Sequence, residues 1–205
     1  MKKYIIKSAS DLEKFKDEYG YKIDGDAEFR YSADFTGRLL VDGSLSIKAG
    51  QYIEAGGYIE AGGYIEAGEY IEAGEYIKAG GYIEAGGYIE AGWSIEAGGY
   101  IEAGGSIEAG ESIEAGDNYG ISAGLSITCK DELTFGLKAF AGTCVWKEIT
   151  DEEKTITCGE FNGGVVEYGI LKETGMDNKK KIVLDGKEIE ISEESFEEFK
   201  KQFNN

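Results

Sequence analysis

The chain has 205 residues, no proline, no histidine, three cysteines and a formal net charge of −19. The missing histidines remove the commonest general base, and no apolar run approaches the roughly 18 residues a membrane-spanning helix needs. The opening MKKYIIKSASDLEKF lacks the long apolar core of a secretion signal, and Cys129, Cys144 and Cys158 fit no metal-ligand spacing, as expected of reduced thiols in a cytosolic protein.

In chain order, residues 1–38 read as an N-terminal cap. Tyr4 to Lys7 is an expected strand. Ser10-Asp11-Leu12-Glu13 has the form of a capping box, opening a short helix through about Glu18 that Gly20 ends. Leu12 and Phe15 would face the first coil, and Ala27 to Phe35 alternates as a further strand. From Leu39 a six-residue phrase becomes visible, and from Gln51 to Gly116 it is spoken eleven times, from QYIEAG to ESIEAG. Residues 39–148 are therefore read as the repeat region.

Within each phrase Ile and Ala stand two apart, as in Ile53 and Ala55, which is strand periodicity with Ile and Ala on one face and Tyr and Glu on the other. The closing glycine, often doubled, is expected to supply a positive φ at a sharp corner. Self-similarity at a short fixed period marks a solenoid, in which each unit buries its apolar side against its neighbours. Two six-residue sides would give a flat 12-residue coil and three an 18-residue triangular one; the triangle is favoured, because its narrow shaft holds one Ile and one Ala per side. That register stacks Ile53, Ile71, Ile89 and Ile107 inside, and Glu54, Glu72, Glu90 and Glu108 outside. The predicted fold is mainly β: a three-sided β-solenoid of about six coils, about 29 Å long at about 4.8 Å per coil, with an N-terminal cap and a small C-terminal α+β unit.

Past Gly116 the phrase decays. Asp117-Asn118 is a two-residue insertion at a corner, and Cys129 takes an inward alanine position as a small core filler. The larger residues Leu133 and Phe135 predict a wider last coil ending near Val145. Residues 149–205 are read as a separate unit. Thr155 to Cys158 and Val165 to Leu171 are strand-like, and Lys181 to Ile191 forms a hairpin around Asp185-Gly186. A helix capped by Ser192 carries the stripe Phe196, Phe199 and Phe203, packing on its own hairpin or on a dimer partner.

In period the chain resembles hexapeptide-repeat β-helix proteins, and the resemblance implies a solenoid fold. The transferases of that group place a small residue two before the aliphatic one, whereas here Ala follows Ile by two, and their catalytic histidine has no counterpart. The resemblance thus lends no enzymatic activity. Identical coils also give every position the same groups, while catalysis needs unlike groups with separated pKa values. No cofactor and no metal is expected. The tail DGKEIEISEESFEEFKKQF is similar to those of phage and mobile-element accessory proteins.

The charge is concentrated in the shaft: Gln51 to Asp117 holds fourteen acids and the single base Lys78. With three glutamates per coil, the shaft carries about one charge per 1.6 Å of axis, against about 1.7 Å for double-stranded DNA. Neighbouring glutamates in a file repel by about 0.9 kcal/mol before screening, and folding alone does not require them. The surface logic is similar to that of DNA-mimic inhibitors of the anti-CRISPR and anti-restriction kind. The expected partner is a basic nucleic-acid-binding protein, a nuclease or CRISPR effector, with no direct contact to nucleic acid or membrane. The candidate contact residues are Glu54, Glu60, Glu66, Glu72, Glu84, Glu90, Glu96, Glu102, Glu108 and Glu114, with Tyr70, Tyr88 and the corner residue Trp93. Trp146 is a further candidate anchor. Two alternatives stand beside this reading. Outward glutamates keep a stack of strands soluble, and a spacer solenoid would make its contacts through its ends.

Overall fold

A computed structural model describes residues 1–175, together with the strands Lys179–Leu184 and Lys187–Ser192. Residues 1–175 form a three-sided parallel β-solenoid of about nine turns with a spacing of about 18 residues. Most strands are three residues long, reading Ile-Glu-Ala through the shaft. The first face is an eight-stranded sheet running from Ala33–Phe35 through Ile53–Ala55, Ile71–Ala73, Ile89–Ala91 and Ile107–Ala109 to Ile170–Glu173. The second face includes Ile59–Ala61, Ile77–Ala79, Ile95–Ala97 and Ile113–Ala115; the third includes Ile65–Ala67, Ile83–Ala85 and Ile101–Ala103. The ten-residue strand Glu132–Ala141 rounds the corner between these two faces and pairs with both.

The core is the expected one. Ile71 pairs in register with Ile53 and Ile89, and Ile89 with Ile107. The isoleucines from Ile53 to Ile113 are wholly buried, and the alanines two residues on are nearly so. Every coil thus repeats one small apolar cross-section, and each Ile column removes its side chains from water, about 1.5–3 kcal/mol per residue. Cys129 takes the inward position opposite Ala109.

The count of about six coils is corrected to about nine, because the ladders run on where the phrase is lost. Lys3–Ile6 pairs in parallel with Asp26–Phe29, and Gly20–Ile23 with Arg38–Val41. At the other end Thr155–Cys158 pairs with Ile127–Cys129, and Ile170–Glu173 pairs with Thr155–Cys158. In the N-terminal coils the inward positions hold Tyr21, Phe29, Leu39 and Val41 in place of the Ile-Ala pair, so alternation persists without the hexad. Ala27 to Phe35 is two strands, Asp26–Phe29 and Ala33–Phe35, on different faces. Val165 to Leu171 is likewise divided between Glu160–Tyr168 and Ile170–Glu173, turning at Gly169 with φ 125°. The early helix is shorter than expected, an α-turn at Ala9–Leu12 continued by a 3-10 turn at Glu13–Phe15. Its N-cap is Ser8, not Ser10, and Asp11 accepts a hydrogen bond from the Lys7 backbone N–H. The hairpin strands pair antiparallel, while Asp185-Gly186 and the helix after Ser192 lie outside the described residues.

The corner glycines are corrected as well. Among the described residues the left-handed glycines are Gly20, Gly50, Gly142 and Gly169, none of them in the eleven phrases from Gln51 to Gly116. What the repeat glycine provides is room. A Cβ on Gly92 would lie 2.1 Å from the Gly74 carbonyl oxygen one coil below, with backbone on both sides of the contact. The position after it is roomier, and there the phrases vary: Gly81 stands 3.3 Å clear, and Glu69, Glu75, Trp93 and Glu111 occupy equivalent sites.

Candidate functional site

Strand alternation that buries Ile and Ala turns each intervening glutamate to water. None of the shaft carboxylates is buried. On the first face Asp34 pairs with Glu54, Glu54 with Glu72, Glu72 with Glu90, and Glu90 with Glu108. One carboxylate therefore stands on each coil in an unbroken file, which Thr128 ends. The third face carries Glu66, Glu84 and Glu102 between Ser46 and Ser122. The second face carries Glu60, Glu96 and Glu114, but Lys78 interrupts its file and pairs with Glu96. The ten glutamates singled out in the sequence thus do not converge; they divide among three faces, and the first is the most acidic.

Crowding shows in the titration of that file. The Glu54 and Glu90 carboxyls are held above the ordinary value, first by partial desolvation and then by neighbouring carboxylates: Glu72 and Asp34 for Glu54, Glu72 and Glu108 for Glu90.

The tyrosines answer the crowding. Tyr52, Tyr70 and Tyr88 stack as one column at 4.4 and 4.7 Å between ring centres, tilted by no more than 9°. Tyr58 and Tyr76 stack at 4.5 Å, and Tyr64, Tyr82 and Tyr100 at 4.8 and 4.9 Å. Four of the rings also reach a glutamate one coil back, Tyr82 the most loosely at 3.5 Å from Glu66. The Tyr88 hydroxyl donates to Glu72 at 2.9 Å, Tyr100 to Glu84 at 2.8 Å and Tyr76 to Glu60 at 3.2 Å. Burial against neighbours pushes the Tyr70 phenol up to about 12 and raises Tyr76, Tyr88 and Tyr100 as well. The ladder therefore supplies neutral donors to carboxylates that lack cations, each such bond being worth about 1.5–3 kcal/mol when one partner is charged.

Trp93 stands at the corner between the first and second faces, half exposed. Backbone bonds place it between two acids: the Trp93 N–H donates to the Glu75 carbonyl, and the Glu111 N–H to that of Trp93, both at 2.8 Å. Tyr70 and Tyr88 lie in the column flanking the first face. Trp146, 65% exposed, lies in the segment between Ala141 and Thr155, which returns over the first face and encloses a groove with Tyr88, Ser106, Leu125, Glu90 and Glu108. Tyr88, Glu90, Glu108 and Trp146 are candidates the sequence singles out, whereas Ser106 and Leu125 are not, because the groove joins residues far apart in sequence. Among the described residues no group of three or more His, Cys, Asp or Glu is placed to hold a metal ion, and no helix is long and apolar enough to cross a membrane.

The fold defines the class, a parallel β-solenoid with carboxylate files on its faces. Comparisons with protein-family models, curated proteins and solved structures find no match to the chain.

Proposed function

We propose that the protein is a non-enzymatic nucleic-acid mimic whose acidic shaft occupies the basic groove of a nucleic-acid-binding enzyme and inhibits it. A phage- or mobile-element-encoded inhibitor of a CRISPR effector or restriction nuclease, acting in the host cytosol, fits this reading. The observation that carries it is the unbroken file Asp34, Glu54, Glu72, Glu90 and Glu108. Carboxylates spaced about 4.8 Å apart along a rigid strand stack offer a basic groove the regular negative charge it meets on a nucleic-acid backbone. Lys and Arg side chains that ordinarily neutralise phosphates would neutralise this file and release their counterions in the same way. The stacked tyrosines add flat apolar surface beside the charges, as bases do beside phosphates.

The test is capture of a basic nuclease or CRISPR effector by the immobilised protein. Capture weakens steeply with salt and is lost in the variant carrying Glu54→Gln, Glu72→Gln, Glu90→Gln and Glu108→Gln. Equal capture by that variant ends the proposal.

A second reading, a spacer solenoid joined through its ends, is favoured by one observation. Val165, Tyr168, Ile170 and Leu171 are exposed on the last described coil. Concentration-dependent end-to-end oligomers in light scattering, abolished by Tyr168→Lys, would support it.

A further inference from the structure

The tyrosine column of the first face stops one coil early. Tyr52, Tyr70 and Tyr88 stack in sequence, and the next position up is Ser106, whose hydroxyl lies 3.2 Å from that of Ser126. The loss has two consequences. The ring of Tyr88 has no stacking partner at the following coil. And the phenol that would reach back to Glu90, as Tyr88 reaches Glu72, is missing. Over this gap lies the groove of about 530 Å³, with Leu125 and Trp146 as its apolar side and Glu90 and Glu108 as its acidic side.

We propose that this groove is a socket for an arginine side chain of the basic partner, its guanidinium stacked on Tyr88 and bonded to Glu90 and Glu108. The inference rests on the reading of the first face as a surface for a basic protein and names the group that this face selects. A guanidinium replaces both things the absent tyrosine would have supplied. Its planar face takes the stacking position over Tyr88, and its N–H groups donate to the carboxylate left without a phenol. Its methylene stem would lie along Leu125 and Trp146. Arginine is preferred over lysine in such a setting, because the guanidinium is flat, weakly hydrated and forked where an ammonium is a compact hydrated point charge. Lys147 Nζ lies 5.3 Å from the Trp146 ring centre but pairs with Glu153 and does not line the groove. The third face offers the useful contrast. Its column ends at Tyr100, but there Leu137, Lys138 and Phe140 line the slot, and Lys138 pairs with Glu167 at 2.9 Å. A resident cation disfavours a second one, so the socket belongs to the first face.

The experiment titrates the full chain with oligo-arginine and oligo-lysine peptides of equal length, following the Trp146 indole resonance and the affinity. The wild type should prefer the arginine peptide by about tenfold, with the Trp146 signal moving only for arginine. Ser106→Tyr restores the repeat's own residue and fills the slot, and Trp146→Ala removes its wall. Each should bring arginine binding down to the lysine level while leaving lysine binding and its salt dependence unchanged. Equal binding of both peptides by the wild type, or an arginine preference that survives Ser106→Tyr, overturns the socket but leaves the acidic-face reading standing. Binding of neither peptide overturns both.

Discussion

The regular shaft from Gln51 to Gly116 and the coils beyond Asp117 share one fold and differ in what they can single out. In the shaft each coil repeats its neighbour: Ile and Ala inside, Glu outside, Tyr over Tyr for most of its length. Such a surface can be charged, stacked and long, but it offers a partner the same groups at every step. Beyond Asp117 the register between neighbouring coils slips from 18 to 20 residues, as Ile101 pairs with Ile121. The segment after Ala141 then widens the step to 29, as Ile127 pairs with Ile156. That widening carries Trp146 back over Ser106. Uniform charge belongs to the repeat, and unlike groups come together where the repeat is broken.

The sharpest way to test the contrast is in the core. Ile89→Ala should cost about 3 kcal/mol in denaturant unfolding, since the buried column cannot collapse around the cavity. Val166→Ala, in the half-exposed last coil, should cost less than about 1 kcal/mol. Equal losses would mean the ends are packed as tightly as the shaft. Next comes the corner: Gly92→Ala drives a methyl into the Gly74 carbonyl and should cost about 2 kcal/mol, whereas Gly81→Ala, with its 3.3 Å clearance, should change stability by less than about 0.5 kcal/mol. Tyr70→Ser removes two stacked contacts from the middle of a column and should cost about 1 kcal/mol. Ser94→Tyr, above Tyr76, should recover part of such an amount.

The smallest effect is in pH. Glu54 and Glu90 titrate above the ordinary 4.5 in the folded chain. A carboxyl whose folded pKa is raised gives stability that is complete below the unfolded pKa and is lost as pH rises through the folded value. Stability should therefore rise modestly as pH falls from neutral toward about 5. The N-terminal coils behave oppositely. Glu28, paired with Lys3 and Arg30, is lowered to about 2, so its contribution is lost at still lower pH. Thermal melts across this range should show a shallow maximum on the acid side of neutral. A monotonic fall from neutral would contradict the crowded file.

Much of the shaft was legible because alternation and period are local: Ile53, Ile71, Ile89 and Ile107 fall into one column once three sides of six residues are assumed. The outer coils were not, because their inward positions are filled by unlike residues such as Tyr21, Phe29 and Val41, and alternation alone does not show which strand lies beneath. The glycine was misread as a conformational device, although its invariance beside a variable neighbour is a sequence trace of crowding between coils. The groove depends on Trp146 meeting residues some forty to sixty positions earlier in the chain, and no local pattern encodes that return. Dividing the glutamates among three faces follows from the period and was available. That Lys78 weakens one face and spares the first needed only the count of 18.

The most direct measurement is displacement of duplex DNA from a basic nuclease or CRISPR effector over a range of salt, for the wild type and for the variant with Glu54, Glu72, Glu90 and Glu108 changed to Gln. The account predicts that the wild type displaces the duplex, that its apparent affinity falls linearly with salt on logarithmic axes, and that the variant binds more weakly with a shallower slope. Failure of the wild type to displace DNA, or a variant with the same affinity and slope, would contradict it.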